Sequence, residues 1–145
     1  MRGNVQEPSM TDQRQRLRFE GISLESTPNG RCKVTVSLEW CDRVIEGFAE
    51  GLETHQGRIQ AAANATLRAA MSAAGKRLHF EIAGVKSVRA FDGWVVIMRV
   101  NGEAESRTHR LLGSASCEGE AELPRTAAFA LLDATNRLLE KHVGS

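Results

Sequence analysis

Two short stretches hold most of the residues that could do chemistry: GLETHQG at 51–57 and SASCEGE at 114–120. Each follows a strand-like segment and opens a helix-like one. A thiol at Cys117 would sit just ahead of a helix, where the partial positive charge of the helix start lowers its pKa and raises its reactivity. A nucleophilic thiol needs a base, and His55 in the matching stretch supplies one. Glu50, Glu53, Glu118 and Glu120 offer carboxylates for acid–base work. A second reading of the same stretches is a binding site. Unpaired N–H groups at a helix start suit a carboxylate or phosphate, and Gly51, Gly57, Gly113, Ser114, Ser116 and Gly119 are small enough for a ligand to approach the backbone. The third reading is plain capping, with Thr54 and Ser116 as cap residues and the glycines as loop formers.

The rest of the sequence weighs these readings. It contains no GxGxxG, no P-loop, and no CxxC or Cys/His ladder of the kind zinc prefers. Catalysis by Cys117 with His55 is therefore the weakest of the three, capping the strongest, and an anion site lies between. The chain reads as non-enzymatic, with no cofactor and no metal. The candidate ligand site comprises Gly51, Thr54, His55, Gly57, Gly113, Ser114, Ser116, Cys117 and Gly119.

Composition narrows the partners. Nineteen basic residues against eighteen acidic ones leave a net charge of +1, without the concentrated basic face that nucleic acid requires. Five Phe, two Trp and no Tyr are few for base stacking. Arg89, Arg99, Arg107 and Arg110 are expected to line one face, diluted by neighbouring acids, and His79 and His109 to face solvent on strands. No apolar run approaches the ~20 residues that span a bilayer, and the polar N-terminus lacks an apolar signal region. Three cysteines at uninformative spacings read as free thiols of a reducing cytosol, and the Arg- and Ala-rich usage as that of a GC-rich bacterial genome. The expected location is cytoplasmic.

The elements that must position these residues come in duplicate. Residues 1–15 read as a disordered tail without periodicity. From Arg16, a strand carrying Leu17 and Phe19 changes phase at Gly21, which predicts a β-bulge. PNG (28–30) turns into KVTVSLEW (33–40), whose strict alternation marks a half-buried strand. CD (41–42) turns into RVIEGFAEG, and helical spacing then runs from Gln56 to about Ala74, stopped by Gly75. The order returns: LHFE (78–81) echoes LRFE (17–20), Gly84 marks a second bulge, DG (92–93) a turn, WVVIMRV a strand, NG (101–102) a hairpin, ESRTHRLLGSAS a strand, and a helix runs from about Ala121 to His142. AANATLRAA (62–70) and AAFALLDAT (127–135) match at Ala62/Ala127, Ala63/Ala128, Ala65/Ala130, Leu67/Leu132 and Ala69/Ala134. The predicted fold is α+β: one domain over 16–145, built from βββα repeats at 16–75 and 76–145, forming a mostly antiparallel sheet of about six strands with two helices on one face.

EGFAEG (46–51) leading into the first helix, and GSASCEGEAELPRTAAFALLDATNRLL (113–139) leading into the second, resemble the C-terminal regulatory domain of alpha-isopropylmalate synthase. The catalytic barrel of that family is absent, and its Gly-Pro-Val-Asp entry to the first helix reads LETHQGR here. The resemblance implies a paired βββα topology and an effector site near the helix starts. The outer sheet face reads as mostly polar in the first repeat. In the second, Val95 and Ile97 point opposite to Trp94, Val96 and Met98, so the strand is apolar on both sides. That predicts a homodimer through Val95 and Ile97. The resulting expectation is a dimeric regulatory or interaction module, with a small anionic metabolite or a protein as its partner.

Overall fold

The computed structural model describes residues 16–142; the tail expected at 1–15 lies outside them. Strands β1 (Arg18–Thr27), β2 (Arg31–Trp40) and β3 (Arg43–Leu52) precede helix α1 (His55–Ala74). Strands β4 (Leu78–Ala90), β5 (Gly93–Ala104) and β6 (Arg107–Cys117) precede a 3-10 turn (Glu120–Glu122) and helix α2 (Leu123–His142). The two βββα units are as expected. Their strands form two antiparallel three-stranded sheets, β1-β2-β3 and β4-β5-β6, rather than one hydrogen-bonded sheet. The outer edge of each third strand is engaged by a helix side chain. Arg68 on α1 donates from Nη1 to the Phe48 carbonyl on β3 at 2.6 Å, and the Ser114 N–H on β6 donates to Asp133 Oδ2 on α2 at 3.0 Å. A helix side chain thus engages backbone on the strand edge that another strand would otherwise extend.

Local chemistry explains most of the elements. On β2, Val34, Val36, Leu38 and Trp40 are buried while Lys33, Thr35, Ser37 and Glu39 are not, the alternation of a sheet with one covered face. Register shifts fall at Gly21 and Gly84, where bulges were expected. All four hairpin turns carry two consecutive residues at positive φ: Asn29–Gly30, Cys41–Asp42, Phe91–Asp92 and Glu105–Ser106. Such backbone matches the twist of paired strands. The last of these corrects the sequence reading, because Asn101–Gly102 is not a hairpin. It lies inside β5, opposite Glu81 and Phe80 on one side and Arg110 and His109 on the other. Gly102 is buried, and a Cβ there would stand 2.6 Å from Leu138 Cδ2. Its smallness serves helix packing.

Helix packing also accounts for the small residues of the third strands. A Cβ on Gly47 would meet the Ala65 carbonyl oxygen at 2.0 Å, and one on Gly113 the Ala130 carbonyl oxygen at 2.1 Å. The two glycines pair with Val36 and Met98 at matching points of the two sheets. Alanines 61, 62, 63, 65, 69, 70 and 74 of α1 and 127, 128, 130 and 134 of α2 are buried. Each helix therefore lies almost directly on strand backbone, at a separation that larger side chains would forbid. The last helix also closes onto the first strand. The Leu17 N–H donates to Asn136 Oδ1 at 2.9 Å, and Asn136 Nδ2 donates to the Leu17 carbonyl at 3.2 Å, both buried.

The bulges and helix-facing glycines set the correspondence between repeats. Phe19 pairs with Leu38 and Ile82 with Val100, so Phe19 corresponds to Ile82 and Leu17 to Phe80. LRFE and LHFE are thus two residues out of step in space. A slip of two preserves the face of a strand, which is why the echo still pointed to the right repeat.

Candidate functional site

The first helix start is held by its own side chains. Thr54, in extended backbone, caps α1 by accepting the Gly57 N–H at 2.9 Å. Glu53 is fixed on three sides: its N–H donates to the Gly30 carbonyl at 2.8 Å, and its carboxylate accepts from Ser26 Oγ at 3.0 Å and Arg58 Nε at 2.8 Å. Gly57 is small because a Cβ would meet the Leu52 carbonyl at 2.2 Å, and Gly51 because one would lie 2.8 Å from the Gly57 carbonyl. Gly51, Thr54 and Gly57 nevertheless line an open groove of about 360 Å³ with Arg31, Gln56, Gln60 and Asn64. Its cation, Arg31, has a carboxylate neighbour in Glu50 at 3.9 Å.

The second helix start is different. Gly119 precedes the 3-10 turn with no side-chain cap bond, and Glu120 and Glu122 fill that first turn. Carboxylates there complement the helix dipole from within the chain. Cys117 donates from Sγ to the Gly119 carbonyl at 3.4 Å. The structure brings the two starts together through His55, whose Nδ1 lies 3.3 Å from Glu120 Oε2 and whose ring lies 5.5 Å from that of Trp94. His55 thereby engages the second start by its acid. The remaining candidates scatter. Gly113 is under α2, while Ser114 and Ser116 oppose Ile97 and Val95 across the strands. The nine residues therefore do not form one pocket.

Other groups divide similarly. Arg99 and Arg110 share the outer phase of the second sheet, whereas Arg89 pairs with Trp94 and Arg107 with Ala104 on the inner phase, so the four arginines do not line one face. His79 is exposed, but His109 is half-buried on the inner phase opposite Gly102, not facing solvent. Cys32 is buried at one end of β2 and Cys41 is exposed in the turn at the other; neither they nor Cys117 is in a disulfide. Among the described residues no group of three or more His, Cys, Asp or Glu is placed to hold a metal ion, and no helix is long and apolar enough to cross a membrane.

The outer faces of the two sheets are the second candidate surface. Val88, Val95, Ile97 and Leu112 share the outer phase of the second sheet. Val88 is 36%, Ile97 39% and Leu112 54% exposed. The corresponding residues of the first sheet are Glu25, Lys33, Thr35 and Glu46. There, Ser37 Oγ donates to Glu46 at 3.4 Å and the Lys33 ammonium lies 5.1 Å over the Phe48 ring. That face is not wholly polar, since Val44, Phe48 and Leu52 are exposed along edge strand β3. The sequence reading missed them because RVIEGFAEG (43–51) carries apolar residues in both phases and stops short of Leu52, and only the register assigns all three outward. Phe91, at the β4–β5 hairpin tip, is 99% exposed at φ 55°. No family model matches this chain, and no curated protein is similar to it.

Proposed function

We propose that this domain is a non-catalytic regulatory or interaction module that works as a homodimer, paired through the outer face of its second sheet. The observation that carries the reading is the substitution of Val88, Val95, Ile97 and Leu112 for Glu25, Lys33, Thr35 and Glu46 at corresponding positions of one fold. Exposed apolar side chains gathered on a sheet face are what an interface core requires, and a second copy presents the same surface to itself about a twofold axis. The order of elements also suits the regulatory-domain resemblance drawn from EGFAEG and the second helix entry. Light scattering on the wild type and on Ile97→Lys/Leu112→Lys tests the reading. A wild-type dimer and a folded monomeric variant are expected; a wild type that stays monomeric at high concentration overturns it.

A small anionic metabolite remains a second reading, favoured by the groove holding Arg31, Gly51, Thr54 and Gly57. It is the weaker one. Thr54 already satisfies a helix N–H, and Glu120 and Glu122 occupy the other helix start.

A further inference from the structure

The grooves between each helix and the first strand of a sheet are filled on one side and open on the other. Where α2 crosses β1, the Phe129 and Phe19 rings lie 4.9 Å apart, centroid to centroid. The Arg125 guanidinium stands 5.5 Å over both. The corresponding residues where α1 crosses β4 are Asn64, Ile82 and Gln60. Both rings and the cation are gone, and nothing larger replaces them. What remains is an open groove of about 250 Å³ lined by Gln60, Ala63, Asn64, Ile82, Gly84 and Val85 among others.

From this vacancy we infer that the α1–β4 groove is a binding site for a small, uncharged, planar aromatic compound. Its backbone frame is the one that holds a phenyl ring in the other half of the molecule, so the shape for a ring is built into the fold. Ile82 and Val85, both half-buried, offer aliphatic surface to the ring face. Gln60 and Asn64 are both exposed, and each carboxamide brings a donor and an acceptor to the ring's polar edge. Among the described residues no charged one lines the groove, which sets its ligand class apart from the anion considered beside Arg31, although Gln60 and Asn64 border both grooves. The size fits a single ring or fused pair, below the usual range for drug-sized pockets, so the dissociation constant is on the order of millimolar.

The test uses indole and benzamide as probes, with cyclohexanecarboxamide as the non-aromatic control, read by backbone-amide NMR shifts on the intact chain. The aromatic probes should shift the amides of Gln60, Ala63, Asn64 and Ile82–Val85, and the control should not. Asn64→Phe places the counterpart of Phe129 in the groove, so it should raise the melting temperature and weaken indole binding at least tenfold. Gln60→Arg, an exposed substitution that copies Arg125, should tighten indole severalfold through cation–π contact. Absence of shifts at these amides, equal binding of the control, or unchanged affinity in both variants overturns the assignment. The site does not depend on dimer formation, so the dimer can fail while it stands.

Discussion

The two repeats use one inner face and two outer ones. Toward the helices, the correspondence is close: Val34, Val36 and Leu38 answer Val96, Met98 and Val100, and Gly47 answers Gly113 under its helix. Away from the helices, Glu25, Lys33, Thr35 and Glu46 answer Val88, Val95, Ile97 and Leu112. The molecule is thus its own control. Whatever the fold demands, it demands in both halves, so a feature present in one half only is not required by the βββα unit. The apolar patch at Val88, Val95, Ile97 and Leu112, the Asn136 clasp and the Phe19–Phe129–Arg125 stack are all of this second kind, although the first sheet exposes Val44, Phe48 and Leu52 elsewhere on its outer face.

The largest expected effect tests the shared half of that comparison. Gly47→Ala and Gly113→Ala each drive a methyl into helix backbone and should each destabilise the domain by about 3 kcal/mol, as overpacking does. The melting temperature should fall by on the order of 10 °C in either case. A large loss in one repeat and none in the other would break the equivalence at its core.

A smaller effect should be confined to one repeat. Asn136→Ala strands the buried Leu17 N–H and carbonyl, at a cost of about 1–3 kcal/mol. Its counterpart on α1 is Met71, which has no amide to offer. Hydrogen exchange in the Asn136→Ala protein should quicken at the start of β1 and stay unchanged at the start of β4. Equal quickening at both starts would show that the clasp is not local.

The smallest effect concerns the edge caps, where corresponding positions use opposite polarity. Arg68 donates to a carbonyl, while Asp133 accepts from an N–H. Asp133→Asn keeps an accepting oxygen and should leave stability within about 0.5 kcal/mol of the wild type, as exposed substitutions usually do. Arg68→Glu removes the donor, faces a carbonyl with a carboxylate, and should be the more destabilising of the two on urea unfolding. The reverse order would contradict the assigned bonds.

Much of the fold was legible because backbone chemistry is local. Alternation in KVTVSLEW, the bulges at Gly21 and Gly84, the stop at Gly75 and both helices follow from sequence alone, and the structure places them there. The misreadings were all decided by tertiary contact. Asn101–Gly102 has the composition of a hairpin, but Gly102 is reserved for Leu138 on α2. The outward phase of Val44, Phe48 and Leu52 needs the register with β2. The candidate site was legible as two helix-start loops, yet the meeting of His55 with Glu120 depends on how the repeats dock, and no spacing encodes that. The glycines at 51, 57 and 113 are needed for close contacts with backbone, and only 51 and 57 also border an open groove.

The asymmetry of the outer faces is tested most directly by backbone-amide NMR spectra recorded across a dilution series. The expected result is concentration-dependent shifts and broadening at Val88, Val95, Ile97, Leu112, Ser114 and Ser116, with Glu25, Lys33, Thr35 and Glu46 unchanged. Spectra that do not change with concentration, in a protein that sediments as a monomer, or changes centred on the first sheet, would contradict it.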